Sequence, residues 1–177
     1  MTEYAVLVPI VEAENGEALL MEVRSEKVKQ PGEICFPGGR IEEGEKPTDT
    51  AVREACEELG ICPDVITIGG EPELQVMGDG RRVWAVRARV DINDLSDITL
   101  SEDEVSEAFL LPVNWLRDNP VRNYDLSRTS DEELPEKLME YLSHYSGFRS
   151  TGETDYWEYE GHGIWGLTAR IIRRFIL

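Results

Sequence analysis

Pro47 and Gly60 bracket the segment that most narrows what this chain can fold into. Proline suits the first turn of a helix, where its missing N–H costs nothing, and glycine suits the position just past the end. Between them Val52, Ala55, Cys56 and Leu59 recur at i, i+3, i+4 and i+7, an apolar stripe at helical period. The spacing predicts a helix over Pro47–Leu59. Glu54, Glu57 and Glu58 share another face of it, which at about 100° per residue lies roughly opposite the stripe. A solvated face is the ordinary reading of such a pattern. Three features oppose it. Like charges at these spacings repel by a few tenths of a kcal/mol per pair. The helix macrodipole disfavours carboxylates in the second half of a helix. Just upstream, Pro37-Gly38-Gly39 lets backbone carbonyls approach a ligand closely. A divalent cation reverses both penalties, and hard cations such as Mg²⁺ take oxygen ligands of this kind.

Other elements follow from pattern and turn chemistry. Residues 4–12 and 18–24 are apolar and β-rich, joined at Asn15-Gly16, a hairpin signal. Ser25 to Pro31 is a polar loop, Ile34 to Phe36 a short strand, and Pro37-Gly38-Gly39 is expected to be irregular, followed by a polar loop from Arg40 to Glu45. Further strands are expected over 64–77 and 81–92, turning at Gly78-Asp79-Gly80, and near 107–111, where Pro112 opens a short helix through Leu116. A weakly patterned helix over 131–146 is interrupted by Pro135, 155–160 is strand-like, and Leu167, Ile171, Phe175 and Ile176 mark a final amphipathic helix. The order is that of a mixed α/β chain, expected to form a single domain over residues 1–177.

Composition narrows the partners. With 36 acidic against 18 basic residues the chain carries −18, a surface expected to repel nucleic acid and anionic membranes. The excess either serves solubility alone or gathers in part around a cation. Cys35, Cys56 and Cys62 form no C-x-x-C pair and have no evident histidine partner for nucleophilic work, so they read as small apolar side chains of a reduced protein. No apolar run approaches the roughly 20 residues that span a bilayer, and no signal peptide opens the chain, so a cytoplasmic location is expected.

The run Gly39-x5-Glu45-x7-Arg53-Glu54-Ala55-x-Glu57-Glu58-x-Gly60-Ile61 resembles the complete Nudix box. Its seven fixed identities, at roughly 7% usage each, have a chance probability on the order of 10⁻⁸ at any one start. Ala55 stands where a larger aliphatic is usual, and Lys46 where Ser or Thr would cap better by about 1 kcal/mol. The resemblance implies an α/β/α sandwich around a mixed sheet. It implies metal-binding roles for Glu57 and Glu58, and for Glu54 a metal-binding or water-orienting one. A backbone-carbonyl ligand falls at Gly38, and Arg53 orients the glutamates. The implied reaction is hydrolysis of a diphosphate assisted by Mg²⁺ or Mn²⁺ ions, which neutralise the phosphates and acidify a water. The general base is a glutamate of the box or of a later loop, with Glu104 and Glu107 as candidates.

The flanks bear on the substrate. Leu19-Leu20-Met21-Glu22-Val23-Arg24-Ser25, Gly32-Glu33-Ile34-Cys35-Phe36-Pro37-Gly38-Gly39 and Ile164-Trp165-Gly166-Leu167-Thr168-Ala169-Arg170 resemble the coenzyme A diphosphatase branch. The basic loop is one residue shorter than in that branch, and Gln30-Pro31 replaces a common histidine. Arg24, Lys27 and Lys29 form a local basic cluster suited to the 3′-phosphate of coenzyme A, and Arg40 is a further candidate for substrate contact. Trp84, Trp157 and Trp165 could stack on adenine, although tryptophans so spaced more often belong to a core. The resemblance thus implies coenzyme A as the small-molecule partner and 3′,5′-ADP plus 4′-phosphopantetheine as products. ADP-ribose, NADH or nucleoside triphosphates are the rival substrates. A non-catalytic nucleotide-sensing domain is the rival of another class, and self-association to a homodimer is left open.

Overall fold

The computed structural model describes residues 2–145 and 152–177. A long first strand, β1 (Glu3–Ala13), turns through Glu14-Asn15, one residue earlier than expected, into β2 (Gly16–Arg24), which opens on Gly16 at positive φ. After the basic loop come β3 (Ile34–Cys35), β4 (Gly38–Arg40) and helix α1 (Pro47–Leu59). Then follow β5 (Ile66–Ile68), β6 (Glu73–Val76), β7 (Arg82–Val90), β8 (Val105–Pro112) and α2 (Val113–Asp118). The remainder is β9 (Arg122–Asp125), α3 (Glu136–Ser143), β10 (Glu153–Tyr159), β11 (His162–Trp165) and α4 (Gly166–Phe175).

Eight strands form one mixed sheet along β3-β2-β1-β7-β5, with β8 on β2, β4 on β1 and β6 on β7. Only β1 and β7 run parallel among these pairs, and α1 lies in the crossover between them. One face of the sheet buries Ala5, Leu7, Leu20, Val86 and Ala88 against Ala51, Ala55 and Leu59 of α1. The other buries Val8, Leu19, Met21 and Leu111 against Val113 and Leu116 of α2 and Ala169, Ile171 and Ile172 of α4. Helices therefore cover both faces, giving the expected α/β/α sandwich. No helix among the described residues is long and apolar enough to cross a membrane.

Four local expectations are corrected. The Pro-Gly-Gly segment is not irregular: Gly38–Arg40 is a strand, antiparallel to β1 with Gly39 opposite Ala5. Residues 64–77 do not form one strand, because the chain breaks at Gly69-Gly70 between β5 and β6. A second sheet, β11-β10-β9, was not expected. Its strand β9 (Arg-Asn-Tyr-Asp) is a polar edge without an alternating pattern, and its hairpin turns at Glu160-Gly161, both with positive φ, as a tight two-residue hairpin requires. Finally, the helix over 131–146 is shorter: Pro135 precedes α3, Asp131–Glu133 forms only a single tight turn, and residue 146 lies outside the described residues.

Candidate active site

Helix α1 ends as its sequence dictates. Gly60 adopts φ 63°, in the left-handed region, and its N–H donates to the Cys56 carbonyl. Two further carbonyls of the last turn, Leu59 and Glu58, accept from the Thr99 and Ser101 N–H groups at 2.8 and 2.9 Å. That docking fixes the loop before β8. The Ser25 N–H in turn donates to the Glu104 carbonyl at 2.9 Å, so the loop also grips the end of β2.

The helix is rotated relative to the expected stripe. Its buried residues are Thr50, Ala51, Ala55, Glu58 and Leu59, whereas Val52 and Cys56 lie half-buried at its flank. Ala51 and Ala55 pack on the sheet with Ala5, Leu7, Val86 and Ala88, where their small size lets the helix come close. A Cβ at Gly39 would overlap the Glu54 carboxylate, so only glycine leaves room for that side chain. The glutamate face is consequently not a uniformly solvated surface opposite the core. Glu58 is 7% exposed and Glu54 is mostly covered, while the Glu57 side chain is 60% exposed.

Arg53 holds the cluster together. Its Nε and Nη2 donate to the two oxygens of Glu45 at 2.8 and 3.1 Å. Its Nη1 donates to Glu54 at 2.8 Å and Glu57 at 3.2 Å, and Nη2 also reaches the Arg40 carbonyl at 3.3 Å. Glu45 accepts further bonds from the Thr50 hydroxyl and the Glu42 N–H. These donors, Arg53 foremost, hold the Glu45 carboxyl down to about 2. Glu58 behaves oppositely. Burial pushes its carboxyl up to about 8 against one favourable contact from the Gly38 N–H at 2.8 Å, and the charges of Glu54 and Glu104 add to the rise. Burial likewise raises Glu54, partly offset by Arg53.

The residues singled out in the sequence are thus only partly gathered. Arg53, Glu54, Glu57, Glu58 and the Gly38 backbone meet at the junction of α1 and β4. Glu104 is exposed on the docked loop, and its charge acts on Glu54 and Glu58. Glu107 alternates with Phe109 and Leu111 on the other face of the sheet, and its carboxylate lies 3.2 Å from His162 Nε2. Arg24 donates from Nε to the Lys29 carbonyl at 2.8 Å, and its charge favours ionised Glu58. The expected basic cluster is looser: Lys27 pairs with Asp103 at 2.6 Å, while Lys29 and Arg40 are exposed. Trp157 is a core residue, Trp165 is half-buried beside Tyr141 and Tyr145, and the Trp84 indole donates to Glu3. An open depression of about 790 Å³ over Val52, Cys56 and Ile68 touches the cluster only at Arg53 and Glu57.

One functional candidate escaped the sequence reading. Glu22, on β2, is 1% exposed, and its Oε1 has no hydrogen-bond partner among the described residues. The signal was present: a charged residue ending the run Ala18–Glu22, which is buried on both faces of the sheet.

Whether these residues suit a divalent cation can be judged from their chemistry. The donors are carboxylate oxygens, the type that hard cations prefer, and a buried orphan oxygen adds an unmet demand for a positive partner. The set fits. Among the described residues no three such side chains yet converge, since Arg53 draws in Glu54 and Glu57 while Gly38 holds Glu58.

Comparison with known proteins agrees with the motif. The family model described as NUDIX domain matches residues 1–130. The chain belongs to the Nudix hydrolase family. It is 36% identical over 116 residues to the peroxisomal coenzyme A diphosphatase NUDT7 of Mus musculus, covering 64% of this chain and 48% of that protein. It is 34% identical over 175 residues to the mitochondrial Nudix hydrolase 15 of Arabidopsis thaliana, covering 96% of this chain and 56% of that one. The chain therefore spans about half the length of these two relatives. A solved C. elegans Ap4A hydrolase complex superposes with a TM-score of 0.53 at 20% identity, over 84% of this chain and 97% of that one, a likeness of fold.

Proposed function

We propose that the protein hydrolyses the diphosphate bond of coenzyme A or its derivatives, releasing 3′,5′-ADP and 4′-phosphopantetheine, with Mg²⁺ or Mn²⁺ as cofactor. The observation that carries the reaction is the Arg53 clamp, which orders Glu45, Glu54 and Glu57 beside a buried Glu58. Coenzyme A as substrate is supported by the flanking motifs on β2, β3 and α4 and by the similarity to the mouse coenzyme A diphosphatase. A cytoplasmic location is part of this proposal, although the names of the mouse and Arabidopsis relatives assign those proteins to the peroxisome and mitochondrion.

Glu54, Glu57 and Glu58, with the Gly38 carbonyl, would hold a divalent cation, whose charge would neutralise the diphosphate and make a water more acidic. The chain's own groups do the rest. Arg53 keeps Glu54 and Glu57 from rotating away, and its planar guanidinium serves several carboxylates at once. The Gly38 N–H fixes one oxygen of Glu58 and leaves the other to ligate. Glu104 takes the proton of the attacking water as the new P–O bond forms and the bridging oxygen leaves with its electron pair. It is preferred to Glu107 because its charge already acts on Glu54 and Glu58, whereas Glu107 lies across the sheet. Arg24 and the exposed Lys29 and Arg40 are suited to the substrate phosphates.

The test is a panel of coenzyme A, ADP-ribose, NADH and nucleoside triphosphates with Mg²⁺, read by product masses. Coenzyme A should turn over fastest and yield 3′,5′-ADP. Equal or faster turnover of ADP-ribose would sink the substrate assignment, and no turnover of any diphosphate would favour the nucleotide-sensing alternative.

A further inference from the structure

Glu22 has no role in the reading above, yet its placement is costly. It lies on β2 between β8 and β3, opposite Ala108 on one side and Cys35 on the other. Its neighbour two residues back, Leu20, belongs to the core beneath α1, so Glu22 points to the helix side of the sheet. The strands flanking it lead into the two segments that frame the site: β3 runs on to Gly38, and the loop before β8 carries Glu104.

Among the described residues its only contact of hydrogen-bonding type is the Cys35 thiol, 3.8 Å from Oε2, a weak donor at long range. Oε1 has none among the described residues. Burial drives its carboxyl well above the usual range, and the charges of Glu58 and Glu104 act in the same direction, with Arg24 opposing. The carboxylates whose charges reach Glu22 are thus those of the candidate site. A structural acid could be replaced at lower cost by any apolar residue in such a strand.

We propose that Glu22 is a ligand of the divalent cation: with Glu58 it forms an inner cation position on the strand side of α1. This rests on the reading that the α1 glutamates bind metal. Glu22 would then bring a rigid, strand-borne oxygen to an ion otherwise held by glutamates of one helix and the Gly38 carbonyl of β4, and Arg24, two residues on, would add a positive charge beside it for an anionic substrate.

The test is Mn²⁺ binding to the purified full chain, followed by electron paramagnetic resonance of free Mn²⁺ without any substrate. Wild type is compared with Glu22→Gln and, as the marker of the outer position, Glu57→Gln. Glu22→Gln should lose one bound Mn²⁺ or bind it at least tenfold more weakly, and Glu22→Asp should restore part of the affinity. Glu22→Gln binding Mn²⁺ with wild-type number and affinity, while Glu57→Gln does not, would overturn the inference alone. Unchanged binding in both would overturn the metal reading as well. Should Glu22→Gln fail to fold, Glu22→Asp decides: an unchanged Mn²⁺ affinity with the shorter side chain counts against ligation.

Discussion

Glu22 and Glu33 make an instructive pair. Both are buried carboxylates, Glu22 within β2 and Glu33 just before β3, and each keeps one oxygen unpartnered among the described residues. Their company differs. Glu33 accepts from the Tyr145 hydroxyl at 3.2 Å, has His144 Nδ1 at 3.6 Å, and is braced further by Gln30, whose amide donates to Tyr145. Glu22 faces Glu58 and Glu104 across a weak thiol contact. Burial raises both carboxyls, but Glu33 is offset by donors from the chain itself, chiefly Tyr145. A buried acid supplied with its own donors ties the basic loop to the end of α3. One set beside other acids, with Arg24 opposing, leaves an oxygen open to a cation from outside the chain.

The largest effect expected on this contrast is catalytic. Glu58→Gln should lower kcat/KM for coenzyme A by about a hundredfold or more, because it weakens cation binding directly, whereas Glu33→Gln should leave the rate nearly unchanged. Steady-state assays with saturating Mg²⁺ would show it, and comparable losses in both variants would break the contrast. Arg53→Lys comes next. Lysine cannot span Glu45, Glu54 and Glu57 together, so a loss of about ten- to a hundredfold is expected, chiefly in kcat. A variant retaining full turnover would remove Arg53 from the positioning role.

Stability against pH sharpens the same contrast. Glu58 has a folded value near 8 against an ordinary 4.5. Its contribution is therefore fully present below about 4.5 and lost as pH rises through 8. In a chelator the unfolding free energy should fall across that window, and Mg²⁺ should reduce the fall, because the cation favours the ionised form. Urea titrations between these limits, with and without Mg²⁺, measure it. A decline indifferent to Mg²⁺ would mean that Glu58 does not face the ion. Smallest is Tyr145→Phe, which deletes the hydroxyl shared by Gln30 and Glu33. It should cost about 1 kcal/mol of stability, with Mn²⁺ affinity unchanged, and any loss of metal binding would join the two regions that the comparison separates.

The boundaries of α1 were legible because Pro47 and Gly60 act through backbone geometry alone, which neighbours cannot override. Which face turns down was not. Hydropathy favours Val52 and Cys56, but close packing on the sheet rewards small residues, so Ala51 and Ala55 go inside and Glu58 is carried in with them. The box residues were legible by spacing. Glu107 and Glu104 could not be separated, since a bulge in β8 near the Val23–Arg24 step and the face on which each residue emerges are set by pairing with β2, far away in the chain. The second sheet was hidden for a similar reason: β9 has no core-facing alternation of its own and is a strand only because β10 is there to pair with it.

The parallel pairing of β1 with β7 carries a consequence for how the molecule comes into being. Glu3 registers with Arg82 and Ile10 with Arg89, and everything from the first hairpin to α1 lies within the loop that this pairing closes. Closing so long a loop is slow, and its reward comes late. Helix α1 can form early, but the floor of Val86 and Ala88 on which it rests exists only once β7 has arrived. The whole signature motif is thus translated before the surface that gives it meaning, and a nascent chain ending before β7 would carry every residue of the motif and no active site.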